Sequence, residues 1–314
     1  MQRPKLFSVI FFVGLILCVT AEGAGQGRTL PAREELAFPG LREPVEIIKD
    51  TWGISHIYAR NQADLFFAQG FNVARDRLFQ LEIWRRQATG TLAEILGPRA
   101  LDRDIGARLL RARVDMGAEM RHYHPDGELI ITSFVKGINA YIDLTRRDPE
   151  LLPLEFRLLE LIPGHWTPEV VISRHNGLFR NASSEISTAS LLAALGRDRT
   201  LELLDLHPGE PGLKLKPGLD PSLLSRDILR LYTASRTAVR FQKEDIRDEA
   251  ARAASLQPGE TASPAQILKP LPEIGAGSNN WVVSGRLTLT GKPFMANDPH
   301  RRQQIPSLRY WVHL

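Results

Sequence analysis

The hydrophobic period of this chain changes along its length, and that change constrains the fold more than any other feature. Up to about residue 240, apolar residues recur at the spacing of amphipathic helices. From residue 250 to Gly277 the pattern lapses into Ala, Ser, Gly, Pro and scattered charges, ending in Glu273-Ile274-Gly275-Ala276-Gly277. That composition suits an exposed linker. Beyond it the runs become β-branched and aromatic. Helices segregated from strands along a chain argue for the α+β class rather than for alternating α/β units.

Each side of the linker carries local signals. Val45 to Tyr58 alternates apolar and polar residues around Asp50-Thr51-Trp52-Gly53 and reads as a hairpin. Asn61, with Asp64 three residues on, resembles a capping arrangement that opens a long helix. Its stripe of Leu65, Phe66, Ala68, Val73, Leu78, Leu81, Ile83 and Trp84, running up to Gly90, is read as core. A second periodic helix covers Leu129 to Leu144, and Thr167-Pro168 gives the N-cap and first residue of another. After the linker, strands are expected over Asn280–Ser284, Pro293–Ala296 and Leu308–Leu314, with a tight turn at Thr290-Gly291-Lys292. A sheet that has only begun by Leu314 is expected to continue in a longer protein.

Residues 1–21 differ from the rest. Arg3 and Lys5 precede the apolar run Leu6 to Ala21, and Val19-Thr20-Ala21 supplies small residues for cleavage, which together form a secretory signal peptide. The apolar run is shorter than the roughly 20 residues that span a bilayer, so no stable membrane span is expected, and the mature chain is expected to be secreted or periplasmic. The one cysteine, Cys18, lies in that segment, so the mature chain can use no disulfide, thiolate metal site or cysteine nucleophile. The 40 basic residues are interspersed with 36 acidic ones, for a net charge of +4, and no basic block marks a nucleic-acid partner.

Ser278 follows the linker directly and opens the first strand-like run. A serine hydroxyl needs an adjacent base, and an α-amine with a pKa of about 7.7–8.0 can serve as one. Cutting the Gly277–Ser278 bond would create that amine on the serine itself. Gly277, lacking Cβ, lets the serine Oγ approach the preceding carbonyl, and the exposed linker can be excised without breaking a core. Taken alone, the local residues favour an ordinary loop serine over self-cleavage. They form no G-x-S-x-G elbow.

Several segments in order then resemble one family. Gly277-Ser278-Asn279-Asn280-Trp281-Val282-Val283, Thr290-Gly291-Lys292-Pro293, Ala296-Asn297-Asp298-Pro299-His300 and Tyr310-Trp311-Val312-His313-Leu314 resemble the start of the β chain of the penicillin acylase (penicillin amidase) family, which are N-terminal nucleophile hydrolases. Asp50-Thr51-Trp52-Gly53-Ile54-Ser55-His56-Ile57-Tyr58-Ala59, Arg75 to Gln80, and Glu155 to Glu169 resemble its α chain. The resemblance implies an αββα sandwich preceded by a mainly helical α-chain region at 22–249, a linker at 250–277 removed on maturation, and the opening of a β chain at 278–314. It implies that Ser278 is nucleophile and, through its freed α-amine, base. The substrate class it implies is a small-molecule amide: a β-lactam side chain, an acyl-homoserine lactone or another N-acyl amine.

The resemblance also bears on three further sites. His300 falls where cephalosporin and acyl-homoserine lactone acylases have histidine, implying a residue that orients the amine or relays a proton; read alone it is a turn histidine after Asp298-Pro299. Glu185 resembles a ligand of a structural calcium ion, the one inorganic cofactor implied; read alone it belongs to the first turn of a helix starting near Ser183. Arg174, Phe179 and Arg180 lie where the α chain nears the acyl pocket. No organic cofactor is implied, and the partners are the α and β chains of one precursor. The family's oxyanion donors fall beyond Leu314, so the chain as it stands is expected to be inactive. The competing expectation is an exported protein that keeps the fold without catalysis. Outside the resemblance, His122, His124 and Asp126 suggest a metal cluster, but Pro125 and Gly127 mark a turn. Asn181-Ala182-Ser183 forms a glycosylation sequon.

Overall fold

A computed structural model describes residues 33–174, 181–204, 212–224, 226–249, 278–299 and 305–314. Residues 1–21, expected to be a signal peptide, residues 250–276, expected to be a linker, and Gly277, Phe179, Arg180 and His300 lie outside the described residues. The chain divides into two units, Met1–Ala37 and Phe38–Leu314. The described part of the first has no regular structure and carries an Arg33–Glu35 ion pair of 2.6 Å.

The second unit is α+β, as the change of period implies. Strands β1 (Glu46–Lys49) and β2 (Ser55–Tyr58) form the expected antiparallel hairpin. Asp50 closes its turn by accepting the Trp52 and Ile54 backbone N–H groups, each at 2.9 Å. Helix α1 (Gln62–Thr89) follows, with Asn61 Oδ1 accepting the Asp64 N–H at 2.9 Å and Gly90 closing the C-terminus in the left-handed region at φ 65°. Helices α2 (Ala93–Leu96), α3 (Leu101–Leu109), α4 (Met116–Tyr123), α5 (Gly127–Arg147), α6 (Leu154–Leu158), α7 (Pro168–Arg174), α8 (Asn181–Leu203) and α9 (Arg230–Arg236) complete the helical part. Strands β3 (Ser278–Val283) and β4 (Phe294–Pro299) form a separate ribbon. Strand β5 (Val312–His313) joins the first hairpin in parallel to β2.

The core forms where α1 lies against α5. Phe71, Ala74, Leu78 and Leu81 of α1 meet Val135, Ile138, Tyr141 and Ile142 of α5, and Phe156, Trp166 and Val170 close the cluster. The buried stripe is shifted from the expected one. Phe67, Phe71 and Ala74 go inside, while Leu65, Phe66, Ile83 and Trp84 are only half-buried. Two glycines set the helix separation, because a Cβ on Gly70 would sit 2.0 Å from the Phe134 carbonyl oxygen and one on Gly137 would sit 1.9 Å from that of Phe67. Gly137→Ala therefore forces the helices apart and is expected to cost about 3 kcal/mol, the upper end for overpacking. A urea titration that left the midpoint unchanged would contradict this packing.

Asp64 ties the chain entry to α1. Its side chain is buried and accepts the N–H groups of Arg42 at 3.0 Å and Glu43 at 2.9 Å and the Asn61 amide at 2.6 Å. Burial alone would raise the carboxyl pKa, but these donors outweigh it and hold it below the ordinary value. A lowered folded-state pKa gives stability that is present above the unfolded value and lost as pH falls through the folded one. Asp64→Asn should lower the unfolding free energy by about 1–2 kcal/mol at pH 7, and the deficit should narrow below about pH 4. Urea midpoints measured across that range check it.

Candidate active site

Ser278 is the first residue of β3 and is exposed. The β3–β4 register sets Ser278 opposite Pro299, Asn279 opposite Asp298, Asn280 opposite Asn297 and Trp281 opposite Ala296. Side chains alternate between the faces of a strand, so Ser278 shares a face with Asn280 and Val282 and with Asn297 and Met295 across the ribbon. Ser278 thus opens β3 opposite Pro299, on the face that further along carries the amide side chains of Asn280 and Asn297. Gly277 and His300, the sequence neighbours of Ser278 and Pro299, lie outside the described residues.

The ribbon differs from its expected form in length. Strand β4 continues through Asn297-Asp298-Pro299, residues expected to end it, because each pairs with one of Ser278, Asn279 and Asn280. The connection occupies Ser284 to Pro293, one residue longer at each end than the expected strand bounds leave. It contains a 3-10 turn at Gly285–Leu287, Gly291 at φ 71°, and a Thr288 hydroxyl donating to the Lys292 carbonyl at 2.8 Å. Both ribbon faces carry exposed apolar groups, among them Trp281, Val282, Phe294 and Met295.

Other candidate residues do not converge on this ribbon among the described residues. Glu185 is exposed on α8. That helix begins at Asn181, so Glu185 lies past its first turn, contrary to the expected start near Ser183. Calcium takes six to eight oxygens and a carboxylate supplies at most two. Among the described residues no group of three or more His, Cys, Asp or Glu side chains could hold a metal ion, so the described residues do not by themselves make the implied calcium site. His124 Nδ1 accepts the Asp126 N–H at 3.0 Å, and His122 lies in the last turn of α4, in keeping with a turn that follows. The side chains of Arg174 and Asn181 lie outside the description.

A cleft of about 670 Å³ lies elsewhere, lined by Thr89, Arg108, Arg111, Arg113, Met116 and Glu169 among others. Its guanidinium groups are already engaged. Arg108 Nε donates to the Gly90 carbonyl at 3.0 Å, Arg113 caps the Leu109 and Arg108 carbonyls at 3.2 and 3.0 Å, and Arg111 pairs with Glu169. Ser278 is not part of its lining.

A polar seam not anticipated from the sequence docks the segment 305–314 on the helical body. The Tyr310 hydroxyl donates to Asp76 Oδ2 at 2.7 Å and accepts from the Asn72 amide, which also donates to Ser55 Oγ at 2.9 Å. Lys49 pairs with Asp76. The Arg77 guanidinium lies 5.4 Å from the centre of the Tyr310 ring and, with Gln80, holds the Ser307 carbonyl. Burial pushes the Tyr310 phenol well above its ordinary range, and the Asp76 carboxylate adds to the shift, so the hydroxyl remains a donor. Each of these residues except Asn72, Lys49 and Ser307 lies in a segment quoted above for its resemblance.

Comparisons with known proteins agree with those segments. The family model described as penicillin amidase matches residues 44–314. The penicillin acylase 2 proenzyme of Pseudomonas sp. (strain SE83) is 32% identical over 298 residues, 94% of this chain and 35% of that protein. Acyl-homoserine lactone acylase QuiP of Pseudomonas aeruginosa is 28% identical over 289 residues, 88% of this chain and 30% of that protein. The chain thus spans about a third of the length of these relatives. Among solved structures, a thermostable penicillin G acylase from Alcaligenes faecalis aligns over 56% of this chain and 98% of that chain, with 28% identity and a TM-score of 0.45.

Proposed function

The chain belongs to the penicillin amidase family, and on that premise we propose that it is the leading part of an exported precursor that matures by cutting itself before Ser278. With family membership stands the α+β class of N-terminal nucleophile hydrolases. The reaction we infer is hydrolysis of a small-molecule amide.

The observation that carries this reading is the placement of Ser278 as the first residue of a strand, next to the linker, inside a family match that runs across both. In the mature site the serine Oγ attacks the amide carbonyl carbon while its own α-amine, through a bridging water, takes the hydroxyl proton. The tetrahedral intermediate collapses, the C–N bond breaks, and the amine leaves with that proton. Water then attacks the resulting ester by the same route, releasing the acid and restoring Ser278. Strand pairing through Asn280–Asn297 and Trp281–Ala296 would hold the new terminus in place. Preformed donors must meet the oxyanion formed in each half-reaction, and we assign these to residues beyond Leu314, together with the cover for the exposed ribbon faces. His300 is proposed to orient the amine.

Two substrate classes follow from the names of the relatives: penicillin-type acyl amides and acyl-homoserine lactones. Mass spectrometry of the full-length protein tests the reading. A chain beginning at Ser278, together with amine release from one of the two classes, is the expected result. An uncut chain in folded protein would remove the proposed nucleophile and leave the non-catalytic exported protein.

A further inference from the structure

His56 on β2 and His313 on β5 occupy directly opposed positions of the parallel pair. Their Nδ1 atoms lie 3.2 Å apart, with the ring planes at 66°. A neutral imidazole has one protonated and one bare nitrogen, so two ring nitrogens aimed at one point share one centre between them. That centre is either a proton on one ring or a metal ion on both.

Three features favour a metal ion. Two metal–nitrogen bonds of about 2.0–2.1 Å meeting at a tetrahedral angle span roughly 3.3–3.4 Å, close to the separation found. Asp50 Oδ2 lies 3.3 Å from His56 Nε2, and Asp50 is itself held by the Trp52 and Ile54 N–H groups. That carboxylate keeps the proton on Nε2 and leaves Nδ1 bare toward His313, the way outer carboxylates orient metal-bound imidazoles. The His56 side chain is 31% exposed and His313 is exposed, so water can enter and complete the coordination.

We propose that His56 and His313 form a two-histidine site for a divalent ion of imidazole preference, Zn²⁺ foremost, with Asp50 as the supporting carboxylate. Imidazole nitrogen suits Zn²⁺, Cu²⁺ and Ni²⁺ better than Ca²⁺ or Mg²⁺. Because no third His, Cys, Asp or Glu converges there among the described residues, the site is an accessory clip that water completes. It joins β2 to β5, on either side of the Gly277–Ser278 bond. The site itself does not depend on Ser278 being a nucleophile; only its role as a cross-link between two chains does.

Calorimetric titration of the metal-stripped full-length protein with Zn²⁺ at pH 7.5 tests it. The wild type should bind one equivalent that His313→Gln and His56→Gln each weaken by at least about tenfold, with Asp50→Asn weakening it about 10- to 100-fold at unchanged stoichiometry. Pulsed electron paramagnetic resonance of the Cu²⁺ form should show two imidazoles in the wild type and one in His313→Gln. His313 lies in the outermost strand of its sheet, and circular dichroism confirms that its variant is folded; the wild-type copper spectrum decides independently of any variant. Identical zinc titrations for wild type and folded His313→Gln, or a copper spectrum without the imidazole pair, would mean that the rings share only a proton and would overturn the proposal.

Discussion

Ser278→Ala in the full-length precursor is expected to yield a single uncut chain, while the wild type yields two. The substitution removes one oxygen from an exposed position on the ribbon, so it should leave stability within about 0.5 kcal/mol of wild type. Processing and amide hydrolysis should both collapse, because the hydroxyl attacks in each and no other group at that position can replace it. Removing a serine nucleophile from another hydrolase costs on the order of 10⁶-fold in turnover, and a loss of similar order is expected here. Electrophoresis and the intact mass read the first effect, and amine release reads the second. Continued cutting at the Gly277–Ser278 bond in this variant would show that another residue supplies the attacking group.

Glu82→Ala is expected to cause the largest loss of stability. Glu82 lies on α1 with its side chain 1% exposed. It accepts Arg85 Nε and Nη2 at 2.9 and 2.7 Å, Arg86 Nε at 2.7 Å and the Gly164 N–H at 3.0 Å. The hydrogen bond to Glu82 raises the Arg85 pKa against the lowering effect of burial. Among the described residues, removing the carboxylate leaves the buried Arg86 guanidinium with only Glu94 and the Thr91 carbonyl, and leaves the Gly164 N–H unpaired. Breaking a buried pair on one side costs about 3–5 kcal/mol, because an uncompensated charge remains inside. Thermal and urea unfolding should both show it. A loss below about 1 kcal/mol would mean that water reaches this network and compensates it.

Much of the helical part was legible in the sequence because its signals are local. Asn61 and Asp64 cap α1 as their three-residue spacing implies, Gly90 ends it, and Thr167-Pro168 opens α7. Helices α2 and α3, on either side of Gly97 and Pro98, and α4 are not legible in the sequence, since such short amphipathic segments carry too few periods to distinguish. Asn297-Asp298-Pro299 are expected to end the second strand on their intrinsic preference, yet the polar start of β3 supplies partners that draw them into the ladder. Leu308–Leu314 pairs at only two positions, because only Val312 and His313 come alongside Ser55 and His56.

By itself the sequence determined the long helices α1 and α5 and which serine opens β3, because periodicity and capping act over a few residues. The tertiary structure decided which distant groups meet. Tyr310 reaches Asp76 across 234 positions, His313 reaches His56 across 257, and Gly164 donates to Glu82 across 82. Those meetings follow from how closely α1 and α5 approach through Gly70 and Gly137 and from which edge of the first hairpin β5 joins. Packing sets both, and no local pattern encodes them.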